Sequence, residues 1–311
     1  MSELAVVVVS YNVRDLLARA LRSLRVTLED SRIRARVLVV ENASHDGSGA
    51  MVRELFPEVE LLEPGENLGY TGGNNLALRR LGFEKGRMGS AEAVWLLNPD
   101  TELLDDAPHR LLEHLRTNPQ VGAVGPKLCY GDGSFQHGAF AFPGLAQVAL
   151  DLLPVPARLL ESRLNGRYPR ALWQGRDAFP VEMLLGAALM VRGETIAEIG
   201  LLDEGYFMYA EDLDWCRLIH EAGWAIHALP SATVVHHSGQ STRQFRERSF
   251  VALWRARLRY YEKWESRRYV LAVRALVRLG LAWQSNRARR AAQNDETARR
   301  LAAYREIIQL L

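Results

Sequence analysis

The feature that most constrains the fold of this chain is a repeated alternation of apolar runs and helical patterns over its first hundred residues. Valine- and leucine-rich runs, with the length of fully buried strands, are each followed by apolar residues at helical spacing. This alternation predicts a doubly wound, mostly parallel α/β sheet with helices on both faces. The predicted strands cover residues 4–9, 37–40, 59–62 and 94–97, and the predicted helices cover 13–28, 51–55 and 74–81.

Beyond residue 105 the alternation is less regular. The pattern predicts helices at 107–117 and 211–222, a hairpin around 131–133 and a strand at 183–191. Residues 143–180 hold five of the twelve prolines and are predicted to form a long irregular insertion. Because lids and specificity loops tend to occupy such insertions, we expect the stretch 135–185 to determine substrate specificity.

Polar clusters follow three of the predicted strands. They are Ser10, Tyr11 and Asn12 after the first strand, Glu41 and Asn42 after the second, and Asp100 after the fourth. Ligands of open parallel sheets bind outside the carboxyl ends of the strands, so these clusters together predict a binding site. Each cluster alone also has a structural explanation, since Asn12 could cap a helix and Asn42 could turn the chain.

A glycine-rich segment at residues 67–75, containing Gly73 and Asn74, opens the third predicted helix. Such a segment can bring backbone N–H groups close to an anion or a sugar ring. It matches neither the dinucleotide-binding nor the P-loop glycine pattern, which counts against both of those classes. The alternative explanation is that its glycines only allow close packing.

Two further groups indicate chemistry. Asp100 is placed to hold Mg²⁺ or Mn²⁺ beside a diphosphate, with His236 or His237 as a second ligand, although buried histidines are more often structural. Glu211, Asp212 and Asp214 fall in the first turn of a predicted helix, where the helix dipole favours ionised carboxylates. An ionised Asp212 or Glu211 could accept a proton from a sugar hydroxyl, or these acids could only stabilise the helix.

Seven blocks then carry a resemblance to a known family. In order between residues 6 and 242 they read VVVVSYN, VVENASHDGS, ENLGYTGGNN, LNPDT, GAALMVR, EDLDWCR and VVHHSGQST. Together they resemble the inverting family 2 glycosyltransferases, specifically the bacterial rhamnosyltransferase-like branch. The resemblance implies a GT-A type nucleotide-diphospho-sugar transferase fold, with a Rossmann-like, mostly parallel sheet. The C-terminal α-helical extension of this chain lies outside the resemblance.

The resemblance also implies a role for each matching residue. Ser10, Tyr11, Asn12, Glu41 and Asn42 would lie at the nucleotide, and Gly73 and Asn74 along the nucleotide-sugar. Asp100 and His236 would hold the divalent metal cation, and Asp212 would be the general base beside Glu211. Two positions depart from the family pattern, because Asn98 replaces the first Asp of the Asp-x-Asp motif and Glu41 stands where Asp is commoner.

These roles predict a metal-dependent, inverting hexosyltransferase. The expected donor is a dTDP- or UDP-linked deoxyhexose such as rhamnose, and the expected acceptor is a hydroxyl of a glycan or a lipid-linked saccharide. The alternatives are the same chemistry with a hexose, N-acetylhexosamine or galactofuranose donor, a nucleotidyltransferase, or a non-catalytic sugar-nucleotide binder. Ser10, Tyr11 and Asn12 argue against the nucleotidyltransferase, which would usually need a glycine-rich loop with a basic residue there.

The formal net charge of +2 divides unevenly along the chain. Residues 1–242 hold 22 basic and 31 acidic side chains, whereas residues 243–311 hold 17 basic and 6 acidic. We therefore predict a catalytic domain at 1–242, with a donor half at about 1–104 and an acceptor half at about 105–242. A basic helical extension would follow at 243–311.

The basic extension has three interpretations. Its amphipathic stretch at 245–283 could pack on the catalytic domain or form a homodimer through the C-terminal helices. It could also dock on an anionic membrane surface, where basic residues are favourable. Nucleic acid is not expected, because no reading motif accompanies the charge. With two cysteines and no secretion signal in the sequence, we expect a cytoplasmic enzyme, in the membrane interpretation peripheral on the inner face of the cell membrane.

Overall fold

A computed structural model describes residues 2–237, 246–290 and 295–311, and it divides into two compact units. The first unit contains the sheet and comprises the chain up to residue 140, residues 170–207, and the stretch from Glu211 through the last strand. Its strands are β1 Ser2–Ser10, β2 Ala35–Glu41, β3 Glu60–Leu62, β4 Ala91–Leu97, β5 Thr101–Leu103, β6 Val121–Cys129, β7 Phe135–Gln136, β8 Ala139–Phe140, β9 Phe179–Pro180, β10 Met183–Leu184, β11 Ala188–Arg192 and β12 Ala225–His236.

The helices of the first unit connect these strands. They are α1 Arg14–Ser31, α2 Ser48–Leu55, α3 Gly69–Arg80, α4 Ala107–Thr117, α7 Arg170–Gln174, α8 Gly193–Ile199 and α9 Glu211–Glu221. The second unit contains α5 Leu145–Leu152, α6 Ala157–Leu160 and the C-terminal helices α10 Arg246–Trp264, α11 Arg267–Arg290 and α12 Asp295–Leu310.

The main sheet is mixed, with strand order β3-β2-β1-β4-β11-β6-β12-β5. The strands β3, β2, β1 and β4 are parallel, as the alternation of strands and helices predicts. Strand β11 inserts antiparallel between β4 and β6, and β5 runs antiparallel to β12. The residues of β1 between Leu4 and Val8 are fully buried, because helices cover both faces of the sheet.

Two sequence predictions differ from the observed elements. The third helix begins at Gly69 rather than at residue 74, so the glycine-rich segment lies within its first turns. The strand predicted at 183–191 is interrupted between β10 and β11. The predicted insertion at 143–180 is not structureless either, because it contains three short helices and a 3₁₀ turn at Arg163–Asn165.

The second unit is built around α11. Its buried face packs on α5, where a Cβ atom on Gly280 would lie 2.6 Å from Leu152 Cβ. Gln284 Nε2 donates to the Leu152 carbonyl oxygen at 2.8 Å, and Arg257 pairs with Asp151. Residues 141–169 therefore lie with the C-terminal helices. The predicted domain boundary at 242 falls outside the described residues and stays a prediction.

Within the described ranges, no helix has both the length and the hydropathy that spanning a bilayer requires.

A histidine pair in the first unit predicts a loss of stability in mild acid. His114 Nε2 and His227 Nδ1 lie 3.0 Å apart. Burial, and secondarily the charge of His227, lowers the pKa of His114 from 6.5 to about 4. The folded state therefore binds fewer protons than the unfolded chain below pH 6.5, so stability is present above that pH and decreases towards pH 4.

We expect the pair to lower the free energy of unfolding by about 1 kcal/mol between pH 7 and pH 5. Urea unfolding of the wild type and of His114→Gln at the two pH values measures this contribution. The variant should lose less stability than the wild type on acidification. Equal losses would contradict the assignment to this pair.

Candidate active site

The carboxyl ends of β1 and β2 bring the first two polar clusters together, since Ser10 and Glu41 are direct partners in the parallel ladder. Asn12 has φ 53°, and its side chain accepts a hydrogen bond from His45 N at 2.8 Å. Asn12 N in turn donates to Ser44 Oγ at 2.9 Å. Asn12 thus connects the loop that follows β1 to the loop that follows β2. Tyr11 beside it remains 41% exposed, which leaves its ring available for stacking.

The second cluster is tied to α3. The buried Glu41 accepts a hydrogen bond from Ser44 N at 2.7 Å. Asn42 Nδ2 donates to the Gly69 carbonyl oxygen at 2.9 Å, which fixes the start of α3 beside the end of β2. The buried Ser10 hydroxyl has no hydrogen-bond partner within the part of the chain that the structure describes. A buried polar atom of this kind is a candidate for contact with a ligand or water.

Gly73 and Asn74 lie in the first turns of α3. A Cβ atom on Gly73 would lie 2.8 Å from Val9 Cγ1, so this glycine allows α3 to approach β1 closely. This contact agrees with the packing explanation for the glycines. Asn74 Nδ2 donates to the Tyr70 carbonyl oxygen at 2.9 Å, and Asn74 Oδ1 is buried with no partner among the described residues. A role of either residue along the nucleotide-sugar stays a prediction.

Asp100 and His236 meet although they are 136 positions apart in the chain. Asp100 Oδ1 and His236 Nε2 are 3.3 Å apart, and both residues are buried. His236 Nδ1 lies 3.2 Å from the Oε1 atom of the buried Gln136. Because an amide oxygen only accepts, it favours the tautomer with the proton on Nδ1. The Nε2 lone pair then faces Asp100.

His237 has a different environment from His236. Its Nε2 atom lies 2.7 Å from Glu102 Oε1, and its backbone N–H donates to the Asp100 carbonyl oxygen at 2.9 Å. Only His236 therefore directs a ring nitrogen to the Asp100 carboxylate. The sequence left the choice between these two histidines open, and the geometry favours His236.

The Asp100–His236 pair offers two side chains that a metal ion could bind. One carboxylate oxygen and one imidazole nitrogen are donors that suit Mn²⁺. Among the residues of the described ranges, no group of three or more His, Cys, Asp or Glu side chains is arranged to hold a metal ion. A cation here would take its remaining ligands from substrate phosphates and water, as Mg²⁺ and Mn²⁺ sites commonly do.

Glu211 and Asp212 begin α9 and differ in their partners. Asp212 Oδ2 accepts a hydrogen bond from Gly186 N, and Asp212 Oδ1 accepts one from its neighbour Leu213 N, both at 2.8 Å. Glu211 is buried, and its Oε2 atom has no partner among the described residues. Burial and the adjacent Asp212 charge raise the pKa of Glu211 well above 4.5. Burial also raises the pKa of Asp212, but the two N–H donors counteract it.

The surroundings therefore favour the anion at Asp212 over the anion at Glu211. Backbone N–H groups of Gly186 and Leu213 donate to Asp212, whereas Glu211 Oε2 has no partner in the part of the chain that the structure describes. Asp212 is part-exposed, and burial raises its pKa. These are the properties that a general base requires.

Tyr70 connects this pair to the rest of the site. Its hydroxyl donates to the Gly186 carbonyl oxygen at 2.7 Å, while Gly186 N donates to Asp212. The pKa of Tyr70 is raised well above 10, first by burial and then by the charges of Glu211, Asp212 and Asp100. All three carboxylates are thus close enough to influence one hydroxyl group. The structure brings together the acids that the sequence separates by more than a hundred residues.

Sequence reasoning missed three residues of this arrangement. Tyr70 and Gly186 both lie inside recognised blocks, but nothing in the sequence indicates that the Gly186 N–H donates to Asp212 while the Gly186 carbonyl oxygen accepts from Tyr70. The break between β10 and β11 places the Gly186 N–H next to Asp212 instead of in a strand ladder. Gln136 carries no signal in the sequence, because its role depends on the pairing of β6 with β7.

The fold is that of the GT-A glycosyltransferases. The chain superposes with a TM-score of 0.58 on the mannosyltransferase PcManGT from Pyrobaculum calidifontis, solved with GDP-Man and Mn²⁺, at 16% identity over 99% of this chain and 85% of that chain. It also matches the crystal structure of GalNAc-T7 with UDP, GalNAc and Mn²⁺, at 15% identity and a TM-score of 0.54, over 76% of this chain and 44% of that one. The GT-A fold predicted from the resemblance is confirmed.

The sequence comparisons then give the family. The model of glycosyl transferase family 2 matches residues 5–142. The N-acetylglucosaminyl-diphospho-decaprenol L-rhamnosyltransferase of Mycobacterium tuberculosis is 33% identical over 250 residues, which cover 77% of each chain. The chain belongs to glycosyltransferase family 2 and is similar to its rhamnosyltransferases. The recognition made from the seven sequence blocks is confirmed.

Proposed function

We propose that this protein is an inverting glycosyltransferase that transfers rhamnose from a dTDP- or UDP-linked donor to a lipid-linked saccharide. The observation that supports the inverting mechanism is the asymmetric carboxyl pair, in which two backbone N–H groups donate to Asp212 and Glu211 Oε2 has no partner among the described residues. These donors favour the anion at Asp212. The sugar and the acceptor rest on the similarity to the mycobacterial rhamnosyltransferase, whose name specifies an N-acetylglucosaminyl-diphospho-decaprenol acceptor.

The proposed reaction is a single displacement. Asp212 accepts the proton of the acceptor hydroxyl while the acceptor oxygen attacks the anomeric carbon of the donor from the face opposite the leaving group. The glycosidic bond forms as the bond to the nucleoside diphosphate breaks, so the configuration inverts and no protein nucleophile is needed. The Gly186 N–H orients the Asp212 carboxylate, and Tyr70 fixes Gly186 by donating to its carbonyl oxygen.

Asp100 and His236 would hold a divalent cation, Mg²⁺ or Mn²⁺. When bound, this cation supplies positive charge that stabilises the leaving diphosphate. Asn98 does not provide the carboxylate found in an Asp-x-Asp motif, which is consistent with a site that has only two protein ligands. Its backbone instead supports the loop, because Asn98 N donates to the Ala187 carbonyl oxygen and Asn98 O accepts from Thr101 Oγ1.

Gln136 is expected to position His236. Gln136→Leu removes the acceptor at His236 Nδ1, so the ring loses its fixed tautomer and orientation. We expect the affinity for Mn²⁺ to decrease about 10- to 100-fold, as for other residues that orient metal ligands. Titration with Mn²⁺ followed by electron paramagnetic resonance measures this without donor or acceptor. Gln136→Glu keeps an acceptor and should retain affinity close to wild type, and equal affinities for the wild type and Gln136→Leu would exclude this role.

The cytoplasmic side of the cell membrane is the proposed place of action, because a lipid-linked acceptor would be reached there from a soluble donor. For the C-terminal helices, a homodimer is the alternative to membrane contact. Nucleic acid has no place in the proposed function, since none of the recognised blocks is a nucleic-acid-reading motif.

A donor panel tests the proposed function. Thermal shifts with dTDP-rhamnose, UDP-hexoses, UDP-N-acetylhexosamines and UDP-galactofuranose, each with and without Mn²⁺, rank the donors without an acceptor. Release of nucleoside diphosphate then separates an enzyme from a non-catalytic binder. The proposal requires the largest shift and release with a rhamnose donor. A larger response to another sugar would favour the alternative donor, and binding without any release would favour the binder.

A further inference from the structure

The exposed face of α11 differs from the face that packs on α5. The buried row of this 24-residue helix contains Val270, Val273, Val277, Gly280 and Leu281. The opposite face carries a second apolar row, in which Leu271 is 56%, Leu279 69% and Trp283 38% exposed. A soluble helix normally presents polar side chains on that side. We define the exposed apolar stripe as Leu271, Ala275, Leu279, Ala282 and Trp283.

Positive charge surrounds the exposed apolar stripe. The sequence of α11 contains seven arginines and no acidic residue. Arg267 and Arg268 lie at the amino end of the stripe, and Arg287, Arg289 and Arg290 lie at the carboxyl end, all of them exposed. Arg278 is exposed at its margin, whereas Arg274 is directed to Glu262. At roughly 1.5 Å per residue the helix is about 36 Å long, so the charge is spread along its whole length.

We propose that this face of α11 is a membrane-docking surface that lies in the plane of an anionic lipid bilayer. Leucine and tryptophan would enter the boundary between headgroups and acyl chains, while the arginines would contact lipid phosphates. The charge pattern favours a bilayer over a second copy of the chain. A twofold dimer through this face would bring two arginine-rich surfaces together, with no acidic partner on the helix.

The docking surface rests on the proposed function only for its biological role, because a lipid-linked acceptor would require the enzyme to work at the membrane. The binding itself needs neither donor nor acceptor. Vesicle binding and sugar transfer can therefore fail independently of each other.

Co-flotation of the full chain tests the surface, with vesicles of phosphatidylcholine alone or mixed with phosphatidylglycerol. The wild type should float with the anionic vesicles and remain unbound with the neutral ones. Replacing Arg267, Arg268, Arg278 and Arg287 by Gln should weaken binding to anionic vesicles on the order of 100-fold. Leu271→Gln together with Leu279→Gln should weaken it about tenfold or more.

A matched control uses two exposed aliphatic side chains in the first unit, Val26 at 58% and Leu104 at 63% exposure. Val26→Gln combined with Leu104→Gln removes a similar exposed apolar area from a surface outside α11. This control should float like the wild type. The proposal is overturned if the wild type ignores anionic vesicles, or if the two glutamine pairs behave alike. It is also overturned if sedimentation shows a wild-type dimer that the Leu271/Leu279 variant dissociates.

Transfer to a short, water-soluble acceptor analogue, assayed without detergent, separates the docking surface from the proposed function. The α11 variants should keep wild-type transfer rates on it, because the substituted residues are not among those that form the site at Asp212. Absent transfer with intact vesicle binding would reject the proposed function and leave the docking surface standing.

Discussion

Asp212→Asn is expected to lower the turnover number about 1,000-fold while leaving the affinity for the nucleoside diphosphate within a few-fold of wild type. The amide cannot accept the proton of the acceptor hydroxyl, and general-base catalysis typically contributes an effect of this size. Asn keeps the shape of the side chain and one oxygen for the Gly186 N–H. Steady-state kinetics combined with nucleotide titration separates the loss of chemistry from a loss of binding.

Glu211→Gln is the matched comparison for this prediction. If Glu211 already carries the proton, a neutral amide reproduces its charge, so most of the activity should remain. Asp30→Asn, at an exposed site of α1, controls for the loss of a carboxylate elsewhere. A variant Asp212→Asn that keeps its turnover, or a Glu211→Gln variant that loses it instead, would move the base to Glu211.

The pH dependence of turnover follows from the same pair. Burial raises the pKa of Asp212, so acid should remove the base at a higher pH than for an exposed aspartate. Turnover is therefore expected to fall as the pH decreases, and Glu211→Gln should leave this fall near its wild-type pH, because a neutral amide replaces a carboxyl group that already carries the proton. A large shift of the pH profile in Glu211→Gln would show instead that Glu211 is charged in the working enzyme.

Asp100→Asn is expected to lower both the affinity for Mn²⁺ and the metal-dependent turnover at least about 100-fold. Removing the carboxylate leaves His236 as the single protein donor, and residues that merely orient metal ligands already change affinity by one to two orders of magnitude. His236→Gln should have a similar effect. The double variant should lose little more than either single one, because the two side chains act on the same cation.

His237→Gln is the matched control for the metal prediction. Its ring is directed to Glu102 rather than to Asp100, so Mn²⁺ affinity should stay within a few-fold of wild type. Electron paramagnetic resonance with each variant gives the affinity, and donor hydrolysis gives the turnover. A larger loss with His237→Gln than with His236→Gln would reverse the choice between the two histidines.

The sequence was sufficient for the parallel half of the fold. In β1, β2 and β4, continuous apolar runs with intervening helical periodicity leave a parallel buried sheet as the main solution. The same rule indicated that Ser10 and Glu41 end side by side, and they are ladder partners in the structure. The seven ordered blocks identified the family because each combines several residue types at fixed spacing.

The sequence did not predict the antiparallel insertion of β11 or the start of α3 at Gly69. Periodicity cannot reveal strand direction, and the start of α3 depends on contacts between Gly73 and Val9 and between Asn42 and Gly69. The sequence of segment 143–180 did not reveal the helix α5 either. This helix is stabilised by packing on α11, which lies more than a hundred residues later in the chain.

By itself, the sequence determined the α/β class of this protein, its family and the residue types available for chemistry at the strand ends. Only the tertiary structure decided which partners surround each of those residues. Asp212 and Glu211 are adjacent carboxylic acids, and their surroundings differ because Gly186 N donates to Asp212, whereas Glu211 Oε2 has no partner among the described residues. His236 and His237 are adjacent in the same way, and they face opposite partners because successive residues at the end of β12 point to different sides.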